Sequence, residues 1–347
     1  MPDGFEPGGR PVQRPIAHPT GLGPDLEISL ELARDALRRL DRQLILATGA
    51  TGFVGTWLTE LLTWSADRLA IAPRLVLVSR DPSGFARRHP HLARHRCVQL
   101  ITGDVRRQTT LPASADLVVA GASASVASGD APTEAAMRAV AAANARLARD
   151  YAARGCRVLY LSSGAAGRER PDAYGEEKLA AEALLHDPQL DASAIVARLF
   201  TFVGPHLPLG LHFAVGNFLA DALARRPVTV AGDGTAVRSY LYAADLARYL
   251  WVLAVDGAAG GSYDVGSPDA VTIAQLAEAV AALEDPPLPV RRAGTTMASS
   301  AGSVYLPDGA LASGIGLVPR WDLESALRRT LAWHRGRGGS IPAGPAT

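Results

Sequence analysis

Lysine is almost absent from this chain of 347 residues: of 35 basic side chains, 34 are arginine and one, Lys178, is lysine. Cysteine is nearly as scarce. Cys97 and Cys156 are the only two, each beside an apolar run and with no C-x-x-C spacing. That excludes a disulfide framework, suggests no zinc site, and fits a reducing cytoplasm. An excess of one charge is missing as well, since 35 basic residues against 34 acidic leave a formal net charge of +1. Without a concentrated basic field there is no electrostatic basis for a nucleic-acid partner or an acidic membrane surface. No stretch is apolar for long enough to span a bilayer, and the opening residues lack the apolar core of a signal peptide. These absences predict a soluble, cytoplasmic protein with small-molecule partners, and no residue is assigned to a metal.

What is present is a chain 48% hydrophobic and 20% charged, enough to bury a large core. Residues 1–23 are rich in Pro and Gly and read as a flexible tail. Over 24–42 the pattern Leu26, Ile28, Leu30, Leu32, Leu37, Leu40 suits a leading amphipathic helix. From 43 to 204, strand-like runs at Leu44–Ala47, Arg74–Val78, Val98–Thr102, Asp116–Ala120, Arg157–Leu161 and Ala194–Phe200 alternate with helical stretches at Thr56–Ser65, Thr133–Arg154 and Tyr174–Leu185. Such alternation predicts right-handed βαβ crossovers and an α/β fold with a Rossmann-type, doubly wound parallel sheet. After Gly204-Pro205 the rhythm changes. A helix near Asn217–Arg225, a strand at Val228–Val230, and helices at Ile273–Leu283 and Leu323–His334 predict a smaller C-terminal α/β substrate lobe over 205–335. Some of its segments should return to the first domain, and 336–347 reads as a loose tail.

The first strand runs into Thr48-Gly49-Ala50-Thr51-Gly52-Phe53-Val54-Gly55 and then into a helix. Glycine permits a tight turn, lets backbone approach a pyrophosphate and lets the helix pack close to the sheet, while the helix N-terminus offers amide donors. The spacing is G-x-x-G-x-x-G rather than G-x-G-x-x-G, yet strand, turn and helix come in the order a dinucleotide needs. Gly49, Thr51, Gly52, Phe53, Val54 and Gly55 are therefore expected at the cofactor. The second strand ends in Ser79-Arg80, where an NAD enzyme commonly places a carboxylate for the ribose hydroxyls. Ser79 and Arg80 can instead hold a 2′-phosphate, so NADP(H) is the preferred cofactor and NAD(H) the alternative, with a merely solvated Arg80 as the plain reading. Asp104, with Val105 after the third strand, can accept from the adenine amino group or cap its own turn.

The one lysine lies four residues after a tyrosine, in Tyr174-Gly175-Glu176-Glu177-Lys178, so both side chains share one helix face. With eight tyrosines in the chain, chance would place the lysine there about one time in forty. A compact ammonium can hydrogen-bond a nicotinamide ribose and lower the pKa of a nearby phenol, whereas guanidinium is too broad and rigid. Tyr174 then serves as general acid or base, with Lys178 supporting it and touching the cofactor. Ser163, delivered by the strand before Ser162-Ser163-Gly164, is the candidate hydroxyl for orienting the substrate oxygen.

Thr48 to Gly55, Ser162-Ser163 and Tyr174 to Lys178 resemble the extended short-chain dehydrogenase family of nucleotide-sugar epimerases, dehydratases, decarboxylases and ketoreductases. The similarity runs from about Gln43 to Arg335. It takes in Arg198-Leu199-Phe200-Thr201-Phe202-Val203-Gly204-Pro205, Asn217-Phe218 and the Gly232-Asp233-Gly234 segment that ends at Arg238. The resemblance implies a nucleotide-sugar substrate, Arg238 on its diphosphate, Asn217 at the nucleotide, and a homodimer. Tyr242 and Asp245 also match but can simply secure the fold. Three departures bear on the reaction. Where dehydratases carry Asp-Glu and decarboxylases Glu, this chain has Gly164 and Ala165. The segment between Ser163 and Tyr174 is short, and the helix asparagine of many relatives falls at Val140, which leaves Asn144 without an assigned role. The reading that follows is NADPH-dependent reduction of a keto group on a nucleotide-linked sugar, such as a 4-keto-6-deoxyhexose. A 4-epimerase with retained NAD⁺ is the alternative, and a non-catalytic dinucleotide-binding regulator is a third reading.

Overall fold

The computed structural model describes residues 18–107, 110–123, 133–168, 171, 173–186, 194–211, 213–292 and 303–336. Its centre is a parallel sheet of seven strands: β1 (Leu44–Thr48), β2 (Arg74–Ser79), β3 (Val98–Thr102), β4 (Leu117–Ala120), β5 (Arg157–Ser163), β6 (Ala194–Leu199) and, after the short β7 (Phe202–Val203), β8 (Val228–Val230), β9 (Val237–Arg238) and β10 (Leu241–Tyr242), the edge strand β11 (Ser262–Val265). The spatial order is β11-β6-β5-β4-β1-β2-β3. Every pairing in it is parallel, for instance Leu46 opposite Val76 and Val118. Helices on both faces bury these strands from two sides, which is why β4 reads Leu-Val-Val-Ala without polar alternation.

On one face lie α6 (Glu134–Ala152) and α7 (Ala173–Leu185); on the other, α3 (Phe53–Leu69) and α9 (Ala243–Asp256). Ala145, Ala148, Tyr151 and Ala181 meet Val118, Val158 and Tyr160 beneath α6 and α7. Opposite them, Trp57, Leu61, Leu246 and Trp251 belong to a larger cluster that continues into the C-terminal part. The Trp251 indole donates to the Leu58 carbonyl at 3.0 Å, tying α9 to α3.

The leading segment is two helices rather than one, α1 (Gly23–Leu32) and α2 (Arg34–Arg38). Ala33 leaves helical geometry at φ −123°, ψ 15° between them, and Leu26, Leu30, Leu37 and Leu40 are all buried. The expected tail ends earlier than Gly23 among the described residues. Leu22 is buried, and His18 Nε2 sits 3.0 Å from a Glu60 carboxylate oxygen on α3. Residues 1–17 and 337–347 of the expected tails lie outside the described residues.

Beyond Gly204 the chain alternates between two tasks. The helix α9 and strand β11 rejoin the main sheet, whereas α8 (Ala214–Leu223), α10 (Ile273–Ala281) and small strand groups build a cap at its carboxyl end. In that cap β9 pairs with β12 (Val271–Thr272) and β14 (Val304–Tyr305), and β8 pairs with β13 (Val290–Arg292). The helices α11 (Ala310–Gly314) and α12 (Leu323–Gly336) finish the described chain. Tyr242 donates to Asp25 on α1 at 2.6 Å, and Asp245 accepts from Arg248 and from the Arg320 amide, both at 2.7 Å. Both residues hold elements together. Among the described residues no helix is long and apolar enough to cross a membrane.

Candidate active site

Strand order reverses between β1 and β4, and a crevice outside the carboxyl ends of strands at such a switch is where open α/β sheets take ligands. The glycine turn occupies that place. Gly49 has φ +68°, and a Cβ there would lie 2.2 Å from the Gly121 carbonyl oxygen at the end of β4. A Cβ on Gly55 would lie 2.2 Å from Ala50 Cα, so the start of α3 packs directly on the turn. Gly52 differs: a Cβ there meets only the Gly49 carbonyl oxygen, at 3.5 Å. Its missing side chain leaves open space above the first turn of α3, where Gly52 is the N-cap and no side chain caps it. Backbone N–H groups and the helix dipole thus face a gap suited to a phosphate. These features fit a dinucleotide.

A residue without an assigned role secures this crevice. Asn144, fully buried on α6, accepts a 2.7 Å bond from Thr48 Oγ1 at the end of β1. The same Thr48 oxygen accepts from the amides of Gly121 and Ala122 at 3.1 and 3.3 Å, so one asparagine braces both strand ends. Its own Nδ2 is buried without a hydrogen-bond partner.

At the end of β2, Ser79 Oγ lies 3.2 Å from Thr51 Oγ1 and accepts from the Asp81 amide at 3.1 Å. Asp81 is turned away to cap α4 (Pro82–Arg88), its carboxylate accepting from the Gly84 amide at 2.8 Å. Arg80 is exposed. Phe53 and Val54 are half-buried against the core, and Val105 is half-buried at the end of β3. Next to it the Asp104 carboxylate accepts from the Arg106 amide at 3.0 Å and from its guanidinium at 2.6–3.2 Å. The Arg106 bonds hold the Asp104 carboxyl down at about 2. An adenine amino group at this carboxylate would have to compete with Arg106.

Ser163 ends β5, and Tyr174 and Lys178 stand on α7, which packs on the turn that follows β5. A short 3₁₀ turn, Gly164–Gly167, links them, and a Cβ on Gly175 would lie 2.5 Å from the Ala165 carbonyl oxygen, so α7 sits tightly on that turn. Lys178 is only 4% exposed. Burial pulls its ammonium down to about 8, against the opposing pull of Glu182 and Glu177. Its Nζ lies 5.8 Å from the Tyr174 ring centre and 5.7 Å from that of Tyr160. One further turn along α7 comes Glu182, which sequence reasoning missed. It accepts from Ser162 Oγ and takes a two-pronged contact from Arg198 on β6, the closest distance being 2.7 Å. The four-residue spacing Tyr174, Lys178, Glu182 was the available signal.

Ser163 Oγ accepts from the Ala165 amide and lies 3.2 Å from the Tyr305 hydroxyl on β14. Beside it Gly164 faces the Phe200 ring; a Cβ there would lie 2.5 Å from ring carbons. A cavity of about 390 Å³ opens next to Gly164, lined among others by Arg168, Arg198, Asp264, Tyr305 and Asp308. Arg238 is near but engaged: it donates to the Val237 and Ser303 carbonyls at 2.7 and 2.8 Å and to Ser303 Oγ at 3.1 Å. Its guanidinium lies 5.8 Å from the Tyr305 ring centre, and that of Arg168 lies 4.7 Å from it. Arg168 and Tyr305 were not legible as site residues. Asn217 is exposed on α8, apart from that lining.

A glycine turn at the switch point of a parallel sheet, with Ser163, Tyr174 and Lys178 across it, defines a dinucleotide-dependent enzyme of the short-chain dehydrogenase class. Residues 45–266 match the NAD dependent epimerase/dehydratase family, and the chain belongs to that family. The chain is 36% identical over 115 residues to UDP-glucuronic acid decarboxylase 4 of Arabidopsis thaliana, covering 33% of this chain and 26% of that protein. The match thus spans about a quarter of the relative's length. Among solved structures, the epimerase Mth375 of Methanothermobacter thermautotrophicus superposes with a TM-score of 0.71 at 20% identity, over 90% of this chain and 98% of that one. The Bordetella bronchiseptica enzyme WbmF, in complex with NAD⁺ and UDP, superposes with a TM-score of 0.69 at 18% identity, over 88% and 96%. At such identities the likeness is one of fold.

Proposed function

We infer that this enzyme reduces a keto group on a nucleotide-linked sugar, with a 4-keto-6-deoxyhexose as the substrate class and NADPH as reductant. The observation that carries this reading is the pairing of Tyr174 and Lys178 with a site wall that has Gly164 and Ala165, Gly164 packed against Phe200, where elimination or decarboxylation needs a carboxylate. Gly49, Thr51, Gly52, Phe53, Val54 and Gly55 would hold the nicotinamide cofactor, which would supply hydride for a carbonyl carbon. Ser163 holds the carbonyl oxygen, and Tyr174 gives its phenolic proton to the alkoxide that develops there. Lys178, a buried cation one turn away, stabilises the phenolate left on Tyr174 and binds the ribose. Ser79 and Arg80 support NADPH because Asp81, the carboxylate next to them, is committed to capping α4. Arg238, with Arg168 beside it, is the proposed cation for the diphosphate, and Asn217 the proposed nucleotide contact. A homodimer in the cytoplasm is the proposed setting.

The second reading, a 4-epimerase with retained NAD⁺, is favoured by the NAD-dependent family to which the chain belongs. Mixing the protein with NADPH and a freshly made 4-keto-6-deoxy nucleotide sugar separates the two. The reductase reading expects a stoichiometric fall in nicotinamide absorbance, faster with NADPH than with NADH. No fall with either, from a protein that releases NAD⁺ on denaturation, establishes the epimerase instead.

A further inference from the structure

Four of the chain's eight histidines gather at one glutamate. Glu60, on the flank of α3, has no exposed surface. His18 Nε2 lies 3.0 Å from its Oε2, His91 Nε2 lies 3.0 and 3.2 Å from its two oxygens, and His206 Nε2 lies 3.1 Å from Oε1. His89 is the fourth. Its ring centre is 5.0 Å from that of His206, it is 7% exposed, and its Nδ1 is buried without a hydrogen-bond partner. These residues come from four separate stretches: the segment before α1, the α4 to α5 junction (α5 being Pro90–Ala93), the loop after Gly204-Pro205, and α3. None belongs to the set around Tyr174 and Lys178.

Burying a carboxylate is costly unless opposite charge accompanies it. A divalent cation supplies it. The ligand atoms of His18, Glu60 and His91 already lie within 4.8 Å of one another, as do those of Glu60, His89 and His206. Zinc holds imidazole nitrogen at about 2.0–2.1 Å in a tetrahedron, which sets ligand atoms about 3.4 Å apart, so modest side-chain shifts would close the site. Imidazole and carboxylate donors without thiolate suit zinc-class transition metals rather than calcium or magnesium. The geometry points to a zinc site at Glu60, with His18, His91 and Glu60 as ligands and water in the fourth position. Thr20 Oγ1, 2.9 Å from His18 Nδ1, is positioned to accept that ring's remaining proton. In metal form the 3.3 Å contact from the Thr20 amide to the same nitrogen is given up. Such an ion is a structural clip: it fastens the segment before α1 and the helix α5 to the helix that follows the glycine turn. The scattered positions 18, 60 and 91 have no motif spacing, and so no metal ligand was assigned from sequence.

The test uses the full chain produced without a histidine tag. Bound zinc is measured after dialysis against metal-free buffer, and the melting temperature is followed through chelator treatment and zinc addition. At least one zinc per chain is expected, with a melting temperature that falls by several degrees on chelation and recovers with zinc. His18→Ala and His91→Ala should each weaken zinc binding at least about tenfold. His95→Ala, whose ring pairs with Asp67 outside the cluster, should bind zinc normally. Should the two cluster variants fail to fold, the zinc-edge absorption spectrum of the unmodified protein decides, because imidazole ligation has its own scattering signature. A folded protein with neither bound zinc nor a zinc-dependent melting temperature overturns the proposal, as does a zinc spectrum without imidazole scattering.

Discussion

Lys178 is the residue on which chemistry and stability meet. Its ammonium is buried, and its folded value of about 8 lies below the ordinary 10.5 of the unfolded chain. Between those values the unfolded chain binds more protons, so stability rises with pH across that window. Below about 8 both states are protonated and the burial cost stands in full, roughly 3 kcal/mol. Lys178→Met should therefore be more stable than the unmodified protein at pH 7 by up to that amount, the gap closing towards pH 10.5 in denaturant titrations. A gap that does not change with pH would contradict the assignment. Activity should move the other way: Lys178→Met should lose it, and the unmodified enzyme's reductive kcat/KM should decline as pH rises through about 8. Tyr174→Phe should lose about 10²-fold or more in kcat while binding cofactor normally, as measured by cofactor fluorescence titration.

At the scale of elements, the glycine turn separates two uses of one residue type. Gly49 and Gly55 make room for backbone, and Gly52 leaves room for a ligand. Gly49→Ala combines an unfavourable positive φ with a collision against Gly121, and should destabilise the fold by about 2–3 kcal/mol. Gly52→Ala should melt within a degree or two of the unmodified protein yet bind the dinucleotide about tenfold more weakly. Thermal melts and cofactor titration on both variants check this contrast; a Gly52→Ala protein with full affinity would show that the turn does not face the cofactor. On α7, Glu182 joins the helix to β5 and β6 through Ser162 and Arg198. Glu182→Ala leaves Arg198 without its counter-charge and should cost about 3 kcal/mol by denaturant titration.

Across the whole molecule, local signals made some parts legible and long-range contacts hid others. Six of the seven strands of the sheet could be read because burial makes most of them apolar runs, whereas the edge strand β11, Ser-Tyr-Asp-Val, could not; the glycine turn and Tyr174–Lys178 pair could be read because each lies within one short segment. The division of the leading helix at Ala33 could not be read: its apolar spacing continues through the break, and only docking against α9 reveals it. Tyr305, Arg168, Asn144 and the histidines around Glu60 have partners 30 or more positions away in sequence, a separation that no periodicity records. Asp104 was legible only as two alternatives, and its bonds to the neighbouring Arg106 were not read at all.

The central claim is net hydride transfer to a sugar carbonyl, with Tyr174 giving the proton. Its most direct test is a reaction with NADPH deuterated at the transferable position and a 4-keto-6-deoxy nucleotide sugar, followed by mass and NMR analysis of the product. The account predicts one deuterium on the carbon that was the carbonyl, one NADP⁺ released per product, and loss of both in Tyr174→Phe. A product without deuterium, or unchanged yield from Tyr174→Phe, would contradict it.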